Sequence, residues 1–103
     1  MDILSNRNDY GGIMANFAQI INNQVDAVIV VSNDECDNLP FPESEPVGQA
    51  FIASVGLQGE WLQTSYNNNF RGTYAGRGYL FDPSLGEYGE FTAPPADETP
   101  VNP

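Results

Sequence analysis

Residues 17–31, which read FAQIINNQVDAVIVV, decide the fold. Two runs rich in β-branched residues are separated by Asn22, Asn23 and Gln24. Because asparagine tolerates a positive φ, an asparagine pair between two such runs predicts a β-hairpin with a tight turn. The second run is apolar almost throughout, which indicates a central strand covered on both sides of a sheet.

A helix is predicted after a loop over residues 33–46, which holds three prolines and five acidic side chains. The helix should begin at Ser44, since serine can cap a helix and the glutamate and proline that follow suit its first turn. Gly56 is a natural stop. At about 11 residues the helix is too short to be stable alone and must pack on the sheet, with Phe51 as its main anchor. The predicted apolar face consists of Val47, Ala50, Phe51 and Val55.

Three further strands are expected in the second half of the chain. Residues 60–66 alternate in the manner of a strand, and residues 78–81 and 87–91 flank a turn that runs from Asp82 to Gly86. The order β-β-α-β-β-β predicts a small α+β domain, in which an antiparallel sheet of two hairpins plus one strand carries one packed helix. Connections of this length favour meander-like pairing. The domain is expected over residues 14–91, between an N-terminal arm, 1–13, and a proline-rich acidic tail, 92–103.

Composition narrows the classes of partner. The chain has 103 residues and a net charge of -11, with no histidine and no lysine. Such a balance disfavours nucleic acid and anionic membranes, because phosphate recognition needs clustered Lys and Arg. No run reaches the length of a membrane span, and the N-terminus lacks the pattern of a secretory signal. The expected partners are therefore other proteins, with a homo-oligomer as one option.

Enzymatic function is not expected. Without histidine the chain has no Ser-His or Cys-His nucleophile pair, and without lysine it has no Schiff base and no phosphate-loop lysine. Cys36 is alone and has no histidine to activate it. The carboxylates of the acidic loop match a Ca²⁺ loop poorly, since Cys36 and Leu39 occupy places that need an oxygen ligand and a glycine. No catalytic residue, cofactor or metal is predicted.

Candidate binding residues are concentrated between Trp61 and Phe81, where two of the three arginines lie among several aromatic side chains. Arginine and tyrosine are enriched in the parts of interfaces that contribute most binding energy. The structural alternative is that an arginine pairs with a carboxylate of the same chain and that the tryptophan lies in the core. The candidate partner-binding residues are Trp61, Tyr66, Arg71, Tyr74, Arg77 and Tyr79.

Two motifs in this region carry a family resemblance. The sequence WLQTSYN at residues 61–67, followed by Arg71 and by YAGRGYLFD at residues 74–82, resembles a family of short proteins and domains from tailed phages of marine cyanobacteria. The family pattern looks like W-x-Q-T-S-Y-N, a glycine-rich insert, and N-Y-A-G-x-G-Y-x-Y-D. The hairpin over residues 18–31 is similar to the family's opening, so the resemblance covers most of residues 14–91. Here the insert is very short, and a proline-rich acidic tail replaces the family's continuation.

The resemblance implies a virion component and supplies no catalytic residues. Together with the small size and acidity of the chain, it predicts a non-enzymatic structural protein, most simply one that decorates or cements the capsid and is assembled into virions in the host cytoplasm. Such a protein would bind through its arms and its aromatic and arginine side chains. A tail, baseplate or fibre accessory protein is one alternative, and a soluble phage protein that modulates a host protein is another.

Overall fold

Five strands and one helix form residues 14–94, the part of the chain that the computed structural model describes. The predicted α+β class and the order β-β-α-β-β-β are confirmed. The predicted arm, 1–13, and residues 95–103 of the predicted tail lie outside the described residues. The elements are β1 (Met14–Ile21), β2 (Gln24–Ser32), a 3₁₀ turn (Asn33–Cys36), α1 (Ser44–Ser54), β3 (Glu60–Thr64), β4 (Leu80–Asp82) and β5 (Glu90–Thr92).

The predicted hairpin is formed by β1 and β2, which pair antiparallel along their whole length. Asn22 and Asn23 both have positive φ, at 54° and 63°. This left-handed pair is what a two-residue hairpin turn requires, because its twist matches that of the flanking strands. The register shifts by one residue between Gln19 and Ile20, which places a bulge in β2 close to the turn.

The predicted helix is present, but its buried face differs from the expected one. The buried residues are Ser44, Gly48 and Ile52, whereas Phe51 is half-buried and Val55 is exposed. The helix approaches the sheet through small residues four positions apart, so size selects its inner face more than hydrophobicity does. Ile52, at 1% exposure, is its main anchor.

The two ends of α1 follow the prediction unequally. Ser44 does not cap the helix; its buried hydroxyl lies 2.7 Å from Oε1 of Gln63, to which it donates a hydrogen bond. At the other end, Gly56 has a φ of 93° and ends the helix as predicted. The amide of Leu57 donates to the carbonyl of Ile52, which closes the last turn in the way that a left-handed glycine allows.

The sheet order is β3-β1-β2-β4-β5. Two predictions about the sheet were therefore wrong. β3 pairs with β1, so the sheet is not a simple meander. β2 is the central strand of the five, as predicted, but it is not covered on both faces, because it is half-exposed over much of its length. The mostly buried strand is β1, which lies between β2 and β3. Hydrophobic residues in β2 thus reflect strand propensity more than burial.

Each face of the sheet carries its own core. Phe17 lies on the face that α1 covers, and Ala18 lies on the opposite face. Among residues 14–94 no helix covers the second face, which packs instead against the connection between β3 and β4 and against β4 and β5. The first core consists of Ala15, Phe17, Val31, Cys36, Ile52 and Trp61. The second consists of Ala18, Ile20, Val25, Ala75, Phe81 and Phe91.

Candidate functional site

Arg71 lies inside the domain and organises the region that sequence analysis singled out. Its side chain is 7% exposed and forms an ion pair with Glu45 of α1, with N–O distances of 2.5 and 3.2 Å to the two carboxylate oxygens. The same guanidinium donates to the backbone carbonyls of Gln63, at 2.9 Å, and Tyr88, at 3.1 Å. A planar group with several donors can bind a carboxylate and two carbonyls at once, which an ammonium on a lysine would not reproduce. Arg71 therefore pairs with a carboxylate of the same chain, which was the structural alternative to a role in partner binding.

The ion pair also covers the outer edge of β3. Glu45 accepts a hydrogen bond from the amide of Gln63 at 2.7 Å, and Arg71 donates to the carbonyl of the same residue. The side-chain amide of Gln49 donates to the carbonyl of Trp61 at 2.6 Å. Side chains thus take the place of a neighbouring strand along this edge, which prevents it from pairing with another chain.

The backbone of Arg71 covers the opposite edge of the sheet, which is formed by β5. The amide of Phe91 in β5 donates to the carbonyl of Arg71 at 2.9 Å, and Gly72 forms a parallel bridge with Phe91. One residue therefore hydrogen-bonds to both terminal strands, to β3 through its guanidinium and to β5 through its carbonyl. This link holds the sheet in its curled form.

An aromatic group packs around the same arginine. The rings of Phe41 and Phe70 stack at 3.8 Å between centroids, and Tyr88 meets Phe41 edge-on at 5.0 Å. The guanidinium carbon of Arg71 lies 5.1 Å from the centre of the Phe41 ring. These contacts fix the acidic loop and the β4–β5 turn against the domain, so the aromatic side chains around the arginine serve its packing.

The loop between β3 and Ala75 is held by hydrogen bonds from side chains to backbone. The hydroxyl of Ser65 accepts from the amide of Asn69 at 2.8 Å, and the side-chain carbonyl of Asn68 accepts from the amide of Tyr74 at 2.7 Å. The hydroxyl of Thr64 accepts from the amide of Ala75 at 2.9 Å and so joins the two motifs of the sequence directly. The loop is therefore an ordered platform.

This platform presents Tyr66 to solvent. Tyr66 is 67% exposed, the largest exposed fraction among the large hydrophobic side chains of residues 14–94, and its ring meets that of Tyr74 edge-on at 5.2 Å. Burial, with a smaller contribution from Tyr66, raises the pKa of Tyr74 above its usual range. An exposed ring on an ordered loop loses little conformational freedom on binding.

Met14 lies at the same end of the sheet as this tyrosine. Asn16 and Thr64 form the last pair of β1 with β3, so Met14, at the start of β1, and Tyr66, in the turn that follows β3, both lie at this end. Met14 is 43% exposed and is the first described residue, so residues 1–13 join the domain here. We refer to the surface formed by Tyr66 and Tyr74, at the end of the sheet where Met14 begins β1, as the Tyr66 surface.

The six candidate residues are not gathered in one site. Trp61 is buried in the first core, where its indole donates to the carbonyl of Gln58. Tyr79 is half-buried against the second core. Arg77 is exposed in a turn beside Val25, at the opposite end of the sheet from Tyr66. Only Tyr66 and Tyr74 come together on a surface.

Sequence analysis missed two groups that matter here. Glu45 was interpreted only as a favourable residue at a helix end, and Met14 only as the start of the domain. A signal for the first existed: in a chain with three cations, a buried arginine must find a carboxylate, and the acidic residues at the helix start are available. Nothing local marks Met14, because its place at the same end of the sheet as Tyr66 depends on the pairing of β1 with β3.

One groove on the described part of the chain is smaller than a typical small-molecule site. This groove of about 150 Å³ lies between the end of α1 and the start of β3, lined by Gln49, Ala53, Leu57, Gly59, Glu60 and Trp61. Small-molecule sites usually measure roughly 300–1,000 Å³. Among residues 14–94, no three Cys, Asp or Glu side chains lie close enough together to hold a metal ion. No helix in that range has the length and apolar character to span a membrane.

No family model, curated protein or solved structure matches this chain.

Proposed function

We propose that this chain is a non-enzymatic structural protein of a phage virion, and that it decorates or cements the capsid shell. The observation that carries the proposal is the Tyr66 surface: an exposed aromatic ring on an ordered loop, placed where residues 1–13 join the domain. Such a surface can combine an aromatic anchor with further contacts that residues 1–13 make on a neighbouring protein.

The motif resemblance supports the same function. The two motifs meet at the Tyr66 surface, since Thr64 belongs to the first and Ala75 to the second, and they share a hydrogen bond. The side chains of Thr64 and Ser65, in the first motif, accept hydrogen bonds that hold the loop carrying Tyr66. A strongly acidic surface keeps a small protein soluble until it reaches a specific partner, which suits a component added late to a large assembly.

Quantitative mass spectrometry of purified particles tests the proposal. We expect the chain at a copy number comparable to that of the major shell protein. A few to a few dozen copies would favour the tail, baseplate or fibre instead. Absence from particles, with expression before the structural proteins, would contradict a virion role and favour a protein that modulates a host partner.

A further inference from the structure

In the described part of the chain, the outer edge of β2 has no paired strand over half of its length. β4 meets β2 only at the pair Gln24 and Leu80, and the adjoining backbone bonds run from Val25 to Gly78 and Tyr79. Past the bulge, no strand among residues 14–94 lies beside β2 on this side. We refer to residues 28–32 on this side as the β2 edge.

The register shows which backbone groups the β2 edge presents. Gln63 bonds away from β1, to Glu45 and Arg71, so its partner Phe17 must direct its own backbone groups toward β2. Phe17 pairs with Ile29, which leaves the N–H and C=O groups of Val28 and Val30 directed outward. Within residues 14–94 neither residue forms a backbone hydrogen bond on that side.

The residues of this edge are those of a strand prepared for pairing. Residues 28–31 read VIVV, with no proline, lysine or other charged side chain to discourage a neighbouring strand. Val30 is 60% exposed. The edges of β3 and β5, in contrast, are covered by the side chain and backbone of Arg71.

Negative charge lies at both ends of the β2 edge. Asp26 precedes it at the bulge, and the 3₁₀ turn that follows it carries Asp34 and Glu35, with Asp37 directly after; all four side chains are exposed. A second copy of this chain would bring the same carboxylates and a net charge of -11 of its own. Repulsion between like charges therefore disfavours a second copy at the β2 edge. A partner segment with lysine or arginine at both ends would instead be attracted to these carboxylates.

We propose that the β2 edge binds an extended segment of a partner protein that carries lysine or arginine, added to the sheet as a further strand. The outward N–H and C=O groups of Val28 and Val30 bond to its main chain, and its basic side chains reach Asp26 and Asp34. Main-chain bonds give affinity in this mode, and alternate side chains give specificity. The site does not depend on the virion proposal, since any basic extended segment would satisfy it.

The test uses the full chain and two probe peptides. One is a capped nonapeptide of alternating valine and lysine, and the other has glutamate at every lysine position. We expect the lysine peptide to slow hydrogen exchange of the Val28 and Val30 amides at least about tenfold, and its affinity to fall as salt rises. The glutamate peptide should leave both amides unchanged.

Two substitutions make the result specific to this edge. Val30→Lys places a like charge on the edge and should weaken binding of the lysine peptide at least about tenfold. Ile21→Lys adds the same charge at a similarly exposed position near the hairpin turn, and should weaken binding no more than about twofold. Circular dichroism checks that both variants remain folded.

Four outcomes would overturn the proposal. If neither peptide binds, or if both bind equally well, the partner of the β2 edge is not a basic segment. Amides of Val28 and Val30 that are already protected in the free chain at every concentration would show that another segment of this chain occupies the edge. Protection that grows with protein concentration would show that a second copy does.

Discussion

At the scale of single residues, the domain depends most on the contact between Arg71 and Glu45. Burying two charges costs solvation free energy, and that cost is offset only when the remaining donors and acceptors are bonded. Here the guanidinium also binds two carbonyls, and the carboxylate also accepts an amide. The pair therefore stabilises the fold as part of a network more than as an isolated ion pair.

Replacing this arginine should destabilise the domain strongly. Arg71→Met keeps an unbranched side chain about as long as the aliphatic part of the arginine but leaves a 14%-exposed carboxylate without its cation, which typically costs about 3–5 kcal/mol. Urea unfolding at neutral pH measures the change. The matched control is Arg77→Met, which removes an exposed arginine and should leave the midpoint nearly unchanged. Equal midpoints for the two variants would contradict the role assigned to Arg71.

Gly48 should be intolerant of a methyl group. A β-carbon at this position would lie 2.3 Å from the ring of Phe17 and 3.0 Å from the sulfur of Cys36, both fully buried. Gly48→Ala should therefore cost roughly 1–3 kcal/mol, although alanine favours helices. Ala50→Gly, at an exposed position of α1, is the reciprocal control and should cost about 1 kcal/mol from helix propensity alone. Stabilisation by Gly48→Ala would contradict the close packing of helix on sheet.

Cys36 should make the domain less stable at alkaline pH. Burial raises the pKa of this thiol above its ordinary value of 9.0, and the carboxylates of Asp37 and Glu35 raise it further. A raised folded-state pKa contributes stability that is present below pH 9 and is lost as the pH rises, because the unfolded chain ionises first. Between pH 7 and pH 10, the unfolding midpoint of the wild type should fall more steeply than that of Cys36→Ala. Parallel slopes would contradict this.

At the scale of elements, the hairpin turn is the part most directly encoded by local sequence. Asn23 has a φ of 63°, a conformation that alanine adopts only at a cost of roughly 1 kcal/mol. Asn23→Ala should lower the free energy of unfolding by that amount, whereas Asn23→Gly should be neutral or stabilising, since Asn-Gly suits this turn best. Thermal unfolding of the pair tests the assignment, and equal effects of the two substitutions would contradict it.

Some elements of the fold could be predicted from local sequence and others could not. Asn22 with Asn23, and Gly56, act through their own backbone conformations, so the hairpin and the helix end could be predicted. The inner face of α1 could not be predicted in this way. Gly48 is buried because only a small residue fits against Phe17, and Ser44 is buried because it hydrogen-bonds to Gln63 on β3. The pairing of β3 with β1 depends on contacts distant in sequence. Met14 and Tyr66 come to the same end of the sheet through that pairing, so the two tyrosines could be singled out from the sequence but Met14 could not.

At the scale of the whole molecule, the fold treats its strand edges differently. Arg71 covers β3 with its side chain and β5 with its backbone, while the β2 edge has no neighbour among residues 14–94. The Tyr66 surface lies near the end of the same sheet. Two surfaces suited to protein partners on an acidic domain this small fit the proposed component of a larger assembly, and the exposed residues Val30 and Tyr66 can be substituted without changing a core residue.

Particle incorporation of Tyr66→Ser measures the proposed function most directly. Particles are grown with the wild-type chain, with Tyr66→Ser, or with Ile21→Ser as a control that removes a similarly exposed apolar side chain at the other end of β1. Quantitative mass spectrometry should find the wild type and the control at copy numbers comparable to the shell protein, and Tyr66→Ser reduced about tenfold or more, as expected for a central aromatic anchor. A wild-type chain absent from particles, or equal incorporation of all three, would contradict the proposal.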